Sequence, residues 1–488
     1  MKKIINKYIL LLLVLTSGTF MSCNDWLDVN DNPNTAEKVE AGYLFNYAAI
    51  SWSGNRTGGD NYIPVSMSLQ LQADGGTTGG YWGESAYDIS PYSTGNTWKM
   101  YYSTAGNNLK LAIEQAKNST PENKNAQGQC NIMLAFLAFE TTMLWGDVPF
   151  SEAWNSEVKY PKFDSQQEVL NGVLGLIDQG LSQLDESDPL KIDEYDIYFK
   201  GDISKWKAVA NSLKFRTLMV MVDADPSKAA EIGKMIGSNQ MISSAAGNME
   251  FPFFETSGNQ NPKYGIVAKY SGGMNDMFFA HNNVFKPMEK YQDARIPRYF
   301  NPTVNGDYKA LDTRENVEIS DGGFLSSTIG DYLYRADCPD LVFSYQEQLL
   351  LEAEVYARGV GVSQDISKAN ELFRAGIKAA CEYYNADAAA TETFLSHLPD
   401  LTKLSNEEAL YEIHLQQWID LMDRPNEAFV QWRRSGPKGQ EVPALTVPEE
   451  APTPDLIRRW DYSPEEMSGN PNAPKESPKL WDQMWFDK

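Results

Sequence analysis

Helix-length apolar stripes that arrive in pairs, each closed by a chain-breaking Gly or Pro, leave this chain few options besides stacked helical hairpins. Residues Gln127 to Leu144 are a long apolar stretch stopped by Gly146 and Pro149, which are helix-stop signals. Ser165-x-x-Glu168 is a capping box, in which hydroxyl and carboxylate each satisfy a backbone N–H left bare at a helix start. It opens a stripe at Leu170, Leu174, Ile177, Leu181 and Leu184, the spacing of one helix face. Ser204 is placed to cap the next helix, with Trp206, Val209, Leu213 and Val220 along one side. Later come residues 345–358, stopped by Gly359, and then 366–384. Ser405-x-x-Glu408 is a second capping box, opening a helix to about Met422. Arg424-Pro425 breaks it, and a further helix from Asn426 runs to Arg434, before Gly436-Pro437.

The N-terminus has a separate character. A charged start with Lys2 and Lys3, an apolar run from Tyr8 to Leu15 and small residues up to Ser22 make a secretory signal over residues 1–22. The run is about half the ~20 residues of a membrane-spanning helix. Cys23 directly after it marks a bacterial lipoprotein, cut before Cys23 and acylated on it, since several acyl chains hold a protein firmly on a membrane. Residues 23–488 then form a single domain, with 23–40 as an extended leash. Asp28, Asn30 and Asn32 imitate the start of a calcium loop, but Pro33 stands at the required Gly and Val39 at the bidentate Glu, so no calcium is expected there.

The 66 acidic against 42 basic residues give a net charge of −24, which becomes more negative when Lys2, Lys3 and Lys7 leave with the signal. Such a balance excludes nucleic acid as a partner. Beyond Cys23 only Cys130, Cys338 and Cys381 remain, with no CxxC, so neither a redox motif nor a zinc ribbon is present and buried free thiols are expected at 130 and 381. There is no GxSxG, P-loop, GxGxxG or HExxH, and His281, His397 and His414 are far apart. Nothing calls for a cofactor or a catalytic metal. Carboxylates are too numerous for counting to exclude a glycosidase pair, yet no pair stands out, and a helical-repeat adaptor that binds only protein is the other alternative.

Two irregular stretches interrupt the helices: residues 75–95, dense in Gly, Ser and Thr, and residues 251–337, mixing Gly, Asn and Pro with aromatics. Long loops inside a compact body are usually functional. Flat aromatic rings beside flexible polar backbone suit sugar binding, because a sugar's C–H face lies on Trp or Tyr while its hydroxyls reach Asn, Asp and Gln. Tyr81 and Trp82, flanked by Gly79-Gly80 and Gly83, have few neighbours able to bury them and are expected to face outward as a platform. Tyr87 and Tyr92 are further candidates, then Tyr332 and Tyr334.

The order of the motifs is specific. Trp26-Leu-Asp-Val-Asn-Asp-Asn-Pro-Asn34 follows the cysteine; Trp98-Lys-Met-Tyr-Tyr102 precedes Asn107-Asn108; Trp145-Gly-Asp-Val-Pro-Phe150 closes a long helix. Asp293-Ala-Arg-Ile-Pro-Arg-Tyr-Phe300, Ser344 to Glu354, Ile413 to Trp418 with Trp432-Arg-Arg434, and Arg458 to Glu465 with Asn470 and Asn472 come after. In this order they resemble the SusD/RagB family of surface lipoproteins of Bacteroidetes, particularly its SusD-like branch. Gln346 and Ser463 depart from the pattern. The resemblance implies a mainly α fold, an α-α superhelix of four tetratricopeptide-like hairpins carrying a loop-rich ligand face with short β-hairpins. It implies a non-catalytic lipoprotein on the outer membrane, facing the cell exterior. Such proteins cap a SusC-like TonB-dependent transporter and deliver oligosaccharides, or in some cases peptides, to it. Gly146, Pro149 and Arg433-Arg434 look like fold determinants, and no ligand residue transfers by motif.

Overall fold

The long helices begin and end where side chains or glycine can satisfy the bare backbone groups of their termini. The computed structural model describes residues 39–76, 82–270 and 276–487, with the backbone alone at 82, 269 and 270. The signal, Cys23, the leash to residue 38 and Tyr81 lie outside the described residues. From Ala41 onward the chain is one compact unit. Its principal helices are α1 (Ala41–Arg56), α2 (Pro91–Lys99), α3 (Asn107–Asn118), α4 (Lys124–Trp145), α5 (Gln166–Gln183) and α6 (Ile203–Met221), then α7 (Tyr345–Arg358), α8 (Ile366–Tyr383), α9 (Asn406–Asp420) and α10 (Pro425–Arg434). Shorter turns between them are named by residue.

Both expected capping boxes form, at Ser165/Glu168 and Ser405/Glu408. Ser204 does not cap α6. That role falls to Asp202, whose carboxylate accepts from the N–H groups of Ser204 and Lys205 at 3.1 and 3.2 Å, so the helix starts two residues earlier. A carboxylate serves two orphan donors where a hydroxyl would serve one. Helix α4 is buried along nearly its whole length, which is why its sequence is apolar all round rather than striped. It stops at Gly146, whose φ of +81° suits a residue without Cβ.

The hairpin is the repeating unit. Helix α5 lies along α4 and buries Val169, Leu170, Val173 and Ile177, a stripe worth on the order of 10 kcal/mol at ~1.5–3 kcal/mol per side chain. Helices α7 and α8 form the corresponding pair in the second half, and α9 packs on α7. Leu350, Ala353, Leu372, Phe373, Ile377 and Ile413 interdigitate there. Cys130, Cys338 and Cys381 are buried free thiols, and burial pushes the latter two up to about 11.

Charge is buried at the centre of the frame. Arg56 meets Glu140, Asp340 and Glu427; Arg216 and Arg424 share Glu347; Arg434 forks onto Glu354. These pairs join α1, α4, α6, α7 and α10. Such contacts supply register more than net stability, because desolvation offsets most of the attraction. Arg433 instead spends its guanidinium on the carbonyls of Phe429, Arg458 and Met143, tying the C-terminal segment to α4.

Strand is sparse among the described residues, and every pair is two-stranded and antiparallel: β1 (Gln72–Ala73) with β5 (Phe279–Ala280), β2 (Val148–Pro149) with β3 (Phe163–Asp164), β4 (Met249–Phe251) with β8 (Asp340–Phe343), and β6 (Ile319–Ser320) with β7 (Gly323–Phe324). Only β6–β7 is a tight hairpin of the expected kind. The β1–β5 and β4–β8 pairs join segments far apart in sequence, so they clamp the two irregular stretches onto the helices.

Candidate functional site

The loop face is assembled by β1–β5, where Gln72 opposes Ala280 and Ala73 opposes Phe279. Val317 donates its N–H to the carbonyl of Gly75 at 3.1 Å, and the buried Asp74 accepts from the N–H of Gly76 and from the Ser85 hydroxyl. Residues 72–76 are therefore pinned to residues 276–334 immediately before the segment that carries Tyr81. Trp82 opens a short helix, Trp82–Ser85.

The other candidate aromatics divide by burial. Tyr87, in left-handed backbone at φ +65°, is 2 % exposed. Tyr334 is 4 % exposed, stacks on Phe278 with centroids 5.2 Å apart and donates its hydroxyl to Gln72 at 3.1 Å. Both rings are spent on packing the loops down and offer no face to a ligand. Tyr332 is half-buried, with the guanidinium groups of Arg335 and Arg298 at 4.3 and 5.3 Å from its ring centre. Only Tyr92 stands fully out, at 82 % exposure.

Tyr332 borders a polar pocket of about 200 Å³, together with Glu250, Lys263, Tyr383, Tyr384 and Asp423. Lys263 is buried and its ammonium lies 2.6 Å from Asp423. Burial pulls that ammonium down, but Asp423 outweighs it and leaves Lys263 above its ordinary value. Tyr62 donates to the same carboxylate at 2.7 Å and accepts from Gln72 at 2.7 Å. A closed polar chain thus runs from β1 to the α9–α10 junction beneath the loop face. Burial raises Glu250 as well. His281 is buried, pushed down to about 4 by burial, and its Nδ1 accepts from the N–H of Asn283; the ring serves as a helix cap.

Tyr92 leads to a second, larger concavity that sequence reasoning missed. Between α2 and α3 the helix widens into a π-segment, Met100–Gly106. Its outer face borders an open cleft of about 1040 Å³, closed on the other sides by residues 149–161 and 463–466. Trp98 is buried edge-on against Trp145 and packs on Tyr102 at 4.6 Å. Tyr102 in turn is stacked by Trp154, with ring centres 5.6 Å apart and planes 24° from parallel. Trp154 adopts φ +58° and donates its indole N–H to the carbonyl of Tyr102 at 2.8 Å. Gly106 makes the arrangement possible, since a Cβ there would sit 2.3 Å from the indole nitrogen. Trp98 and Tyr102 were visible as a motif, but neither π-widening nor a left-handed Trp has a signature in a single sequence.

Among the described residues no group of three or more His, Cys, Asp and Glu side chains is arranged to hold a metal, and no helix is long and apolar enough to cross a membrane. Residues 33–462 match a family model described as "Starch-binding associating with outer membrane". The chain belongs to the SusD-like family. A SusD-like protein is a binding protein rather than an enzyme, and it is associated with the outer membrane. Among solved structures, the SusD-like fold here superposes on a chitin-binding protein at TM-score 0.78, with 22 % identity over 92 % of this chain and 100 % of that one. A chitin-binding SusD homologue from Flavobacterium johnsoniae gives 0.70 at 20 % identity, over 92 % and 98 %. A SusD/RagB family protein from Bacteroides thetaiotaomicron gives 0.72 at 19 % identity, over 92 % and 99 %. Likeness at these identities is likeness of fold. No curated protein matches the sequence.

Proposed function

We propose that this SusD-like protein is a lipoprotein of the outer cell surface, anchored through Cys23, that captures oligosaccharides on its loop face and passes them to a SusC-like TonB-dependent transporter. The observation that carries this reading is the clamped loop face: β1–β5 ties down the chain before residues 77–81, and the Ser85 hydroxyl, donating to Asp74, ties down the chain after them; Tyr81 and Trp82 are the stacking residues of this proposal. The family description as starch-binding and the two chitin-binding structural relatives support a glycan over a peptide as cargo. A lid on a transporter needs a lasting interface, usually ~2,000 Å² or more, and a large helical frame can supply one.

The test is Trp82→Ala in the mature protein, titrated calorimetrically with starch and chitin oligosaccharides. The expected result is loss of most of the affinity with an unchanged melting temperature, because stacking residues dominate binding where they are exposed. Unchanged affinity, or a large fall in melting temperature, refutes the platform.

A further inference from the structure

We propose that the cleft beside the π-segment is a second carbohydrate site, separate from the loop face, which takes a neutral oligosaccharide along Tyr92 and the Trp154–Tyr102 stack. The proposal stands on the cleft's own geometry and goes beyond the loop-face reading. The cleft shares no lining residue with the pocket under Tyr332. At about 1040 Å³ it lies at the upper end of small-ligand pockets, which run ~300–1,000 Å³, so it has room for several sugar rings.

Three features mark its wall as built rather than incidental. Trp154 is held at φ +58°, a conformation that a bulky residue adopts only where its surroundings enforce it. Its indole N–H is already satisfied by Tyr102, and the Tyr102 hydroxyl by the carbonyl of Pro149 at 2.8 Å. Tyr102 lies between Trp98 and Trp154, so the ring surface offered to the cleft is that of Trp154, with its polar end tied off. Beneath it the helix carries a seven-residue π-segment, a departure that recurs at functional sites. Gly106 leaves the gap that the indole fills.

The polar groups around these rings suit hydroxyls. Asn96, Asn107 and Lys110 border the cleft on the helical side, and Glu114, Glu465 and Glu466 add carboxylates. The Ser463 hydroxyl, 2.8 Å away, holds Glu465 below its ordinary value, so it stays an acceptor at neutral pH. Three carboxylates against Lys99 and Lys110, on a chain of net charge −24, disfavour a phosphorylated or uronate-rich ligand. Tyr92 stands at the cleft edge with its ring in solvent, where a sugar can extend beyond the Trp154 wall.

The experiment uses the mature protein with maltoheptaose and chitohexaose as probes, read by native mass spectrometry for stoichiometry and by calorimetry for affinity. Tyr92→Ala, Trp154→Ala and Trp82→Ala are compared singly and combined, with melting temperature recorded for each. At 82 % exposure, Tyr92 can be truncated without unfolding the chain, so this variant stays informative if Trp154→Ala destabilises. The expected result is two sugars bound to the wild type, and loss of one of them, or at least a five-fold weakening of it, in Tyr92→Ala and Trp154→Ala. The sugar at the Trp82 site should be untouched in those variants. Loss confined to Trp82→Ala overturns the cleft site and leaves the loop-face function standing. Loss confined to the cleft variants upholds the cleft and overturns the loop face. Binding of neither probe to the wild type overturns the proposal.

Discussion

Asp420, the last residue of α9, has a carboxylate that the fold barely accommodates. It is 1 % exposed, no hydrogen bond of ordinary geometry reaches either oxygen although the Gln346 amide lies close by, and its nearest cation is Arg424 at 3.8 Å. Burial raises this carboxyl from its ordinary 3.8 to about 6, with Arg424 and Arg295 holding it from going further. A folded-state value above the unfolded one means that stability is fully present below pH 3.8 and is lost as pH rises through about 6. The gap of about two pH units, at ~1.4 kcal/mol each, makes the ionised carboxylate cost about 3 kcal/mol at pH 8. Asp420→Asn replaces it by a neutral group of the same shape. Arg424 is not stranded, because Glu347 still pairs with it. For a body of this size, with an unfolding entropy of ~2.1 cal/mol/K per residue, about 3 kcal/mol corresponds to about 3 °C in melting temperature. Differential scanning calorimetry from pH 4 to 8 should show the variant melting about 3 °C higher than wild type at pH 8, with the gap closing towards pH 4. A variant that melts lower at pH 8, or a gain that does not change with pH, refutes the reasoning.

Gly106→Ala should invert the usual helix rule: Ala normally gains ~1 kcal/mol over Gly, but here its Cβ displaces the indole of Trp154, costing the hydrogen bond to Tyr102 and the stack at ~1 kcal/mol each. A lower melting temperature and a red shift of tryptophan emission are the expected readouts; a more stable variant would show that Trp154 is not held there. Glu354→Gln leaves the buried Arg434 without its counter-charge and should cost ~3–5 kcal/mol at neutral pH. The Arg434 guanidinium and its neighbours hold Glu354 below its ordinary 4.5 despite burial, so its contribution is present above that value and is lost as pH falls below it; urea titrations at pH 7 and pH 4 should show the deficit shrinking. Cys23→Ala should leave the protein unprocessed or released from the outer membrane. Acylation and membrane recovery in that variant would remove the lipid anchor from the proposed function.

The candidate site was legible only in part. Gly-flanked Tyr81-Trp82 and the aromatic loops suggested stacking chemistry, yet loop sequence does not say which way a ring turns. Tyr87 and Tyr334 read like Tyr92, but the first two are buried and the third is solvent-exposed. The deciding factor is what comes back across the chain to cover each one: Phe278 stacks on Tyr334, whereas the Tyr92 ring is left in solvent.

Local interactions determined what the sequence could disclose. The capping boxes at Ser165 and Ser405, the stop at Gly359 and the break at Arg424-Pro425 each involve residues within a few positions of one another, and all stand where the sequence places them. The apolar stripes fixed which faces were buried, because 3.6-residue periodicity is a property of the segment alone. Tertiary structure decided everything that depends on partners dozens to hundreds of residues away. It joined β1 to β5 and β4 to β8, assembled the buried ion pairs from helices of both halves, and bent the chain after Pro149 so that Trp154 settles on Tyr102 over Gly106. Those placements are set by side-chain volume, desolvation and the pairing of buried charge, which act through space and leave no period along the chain.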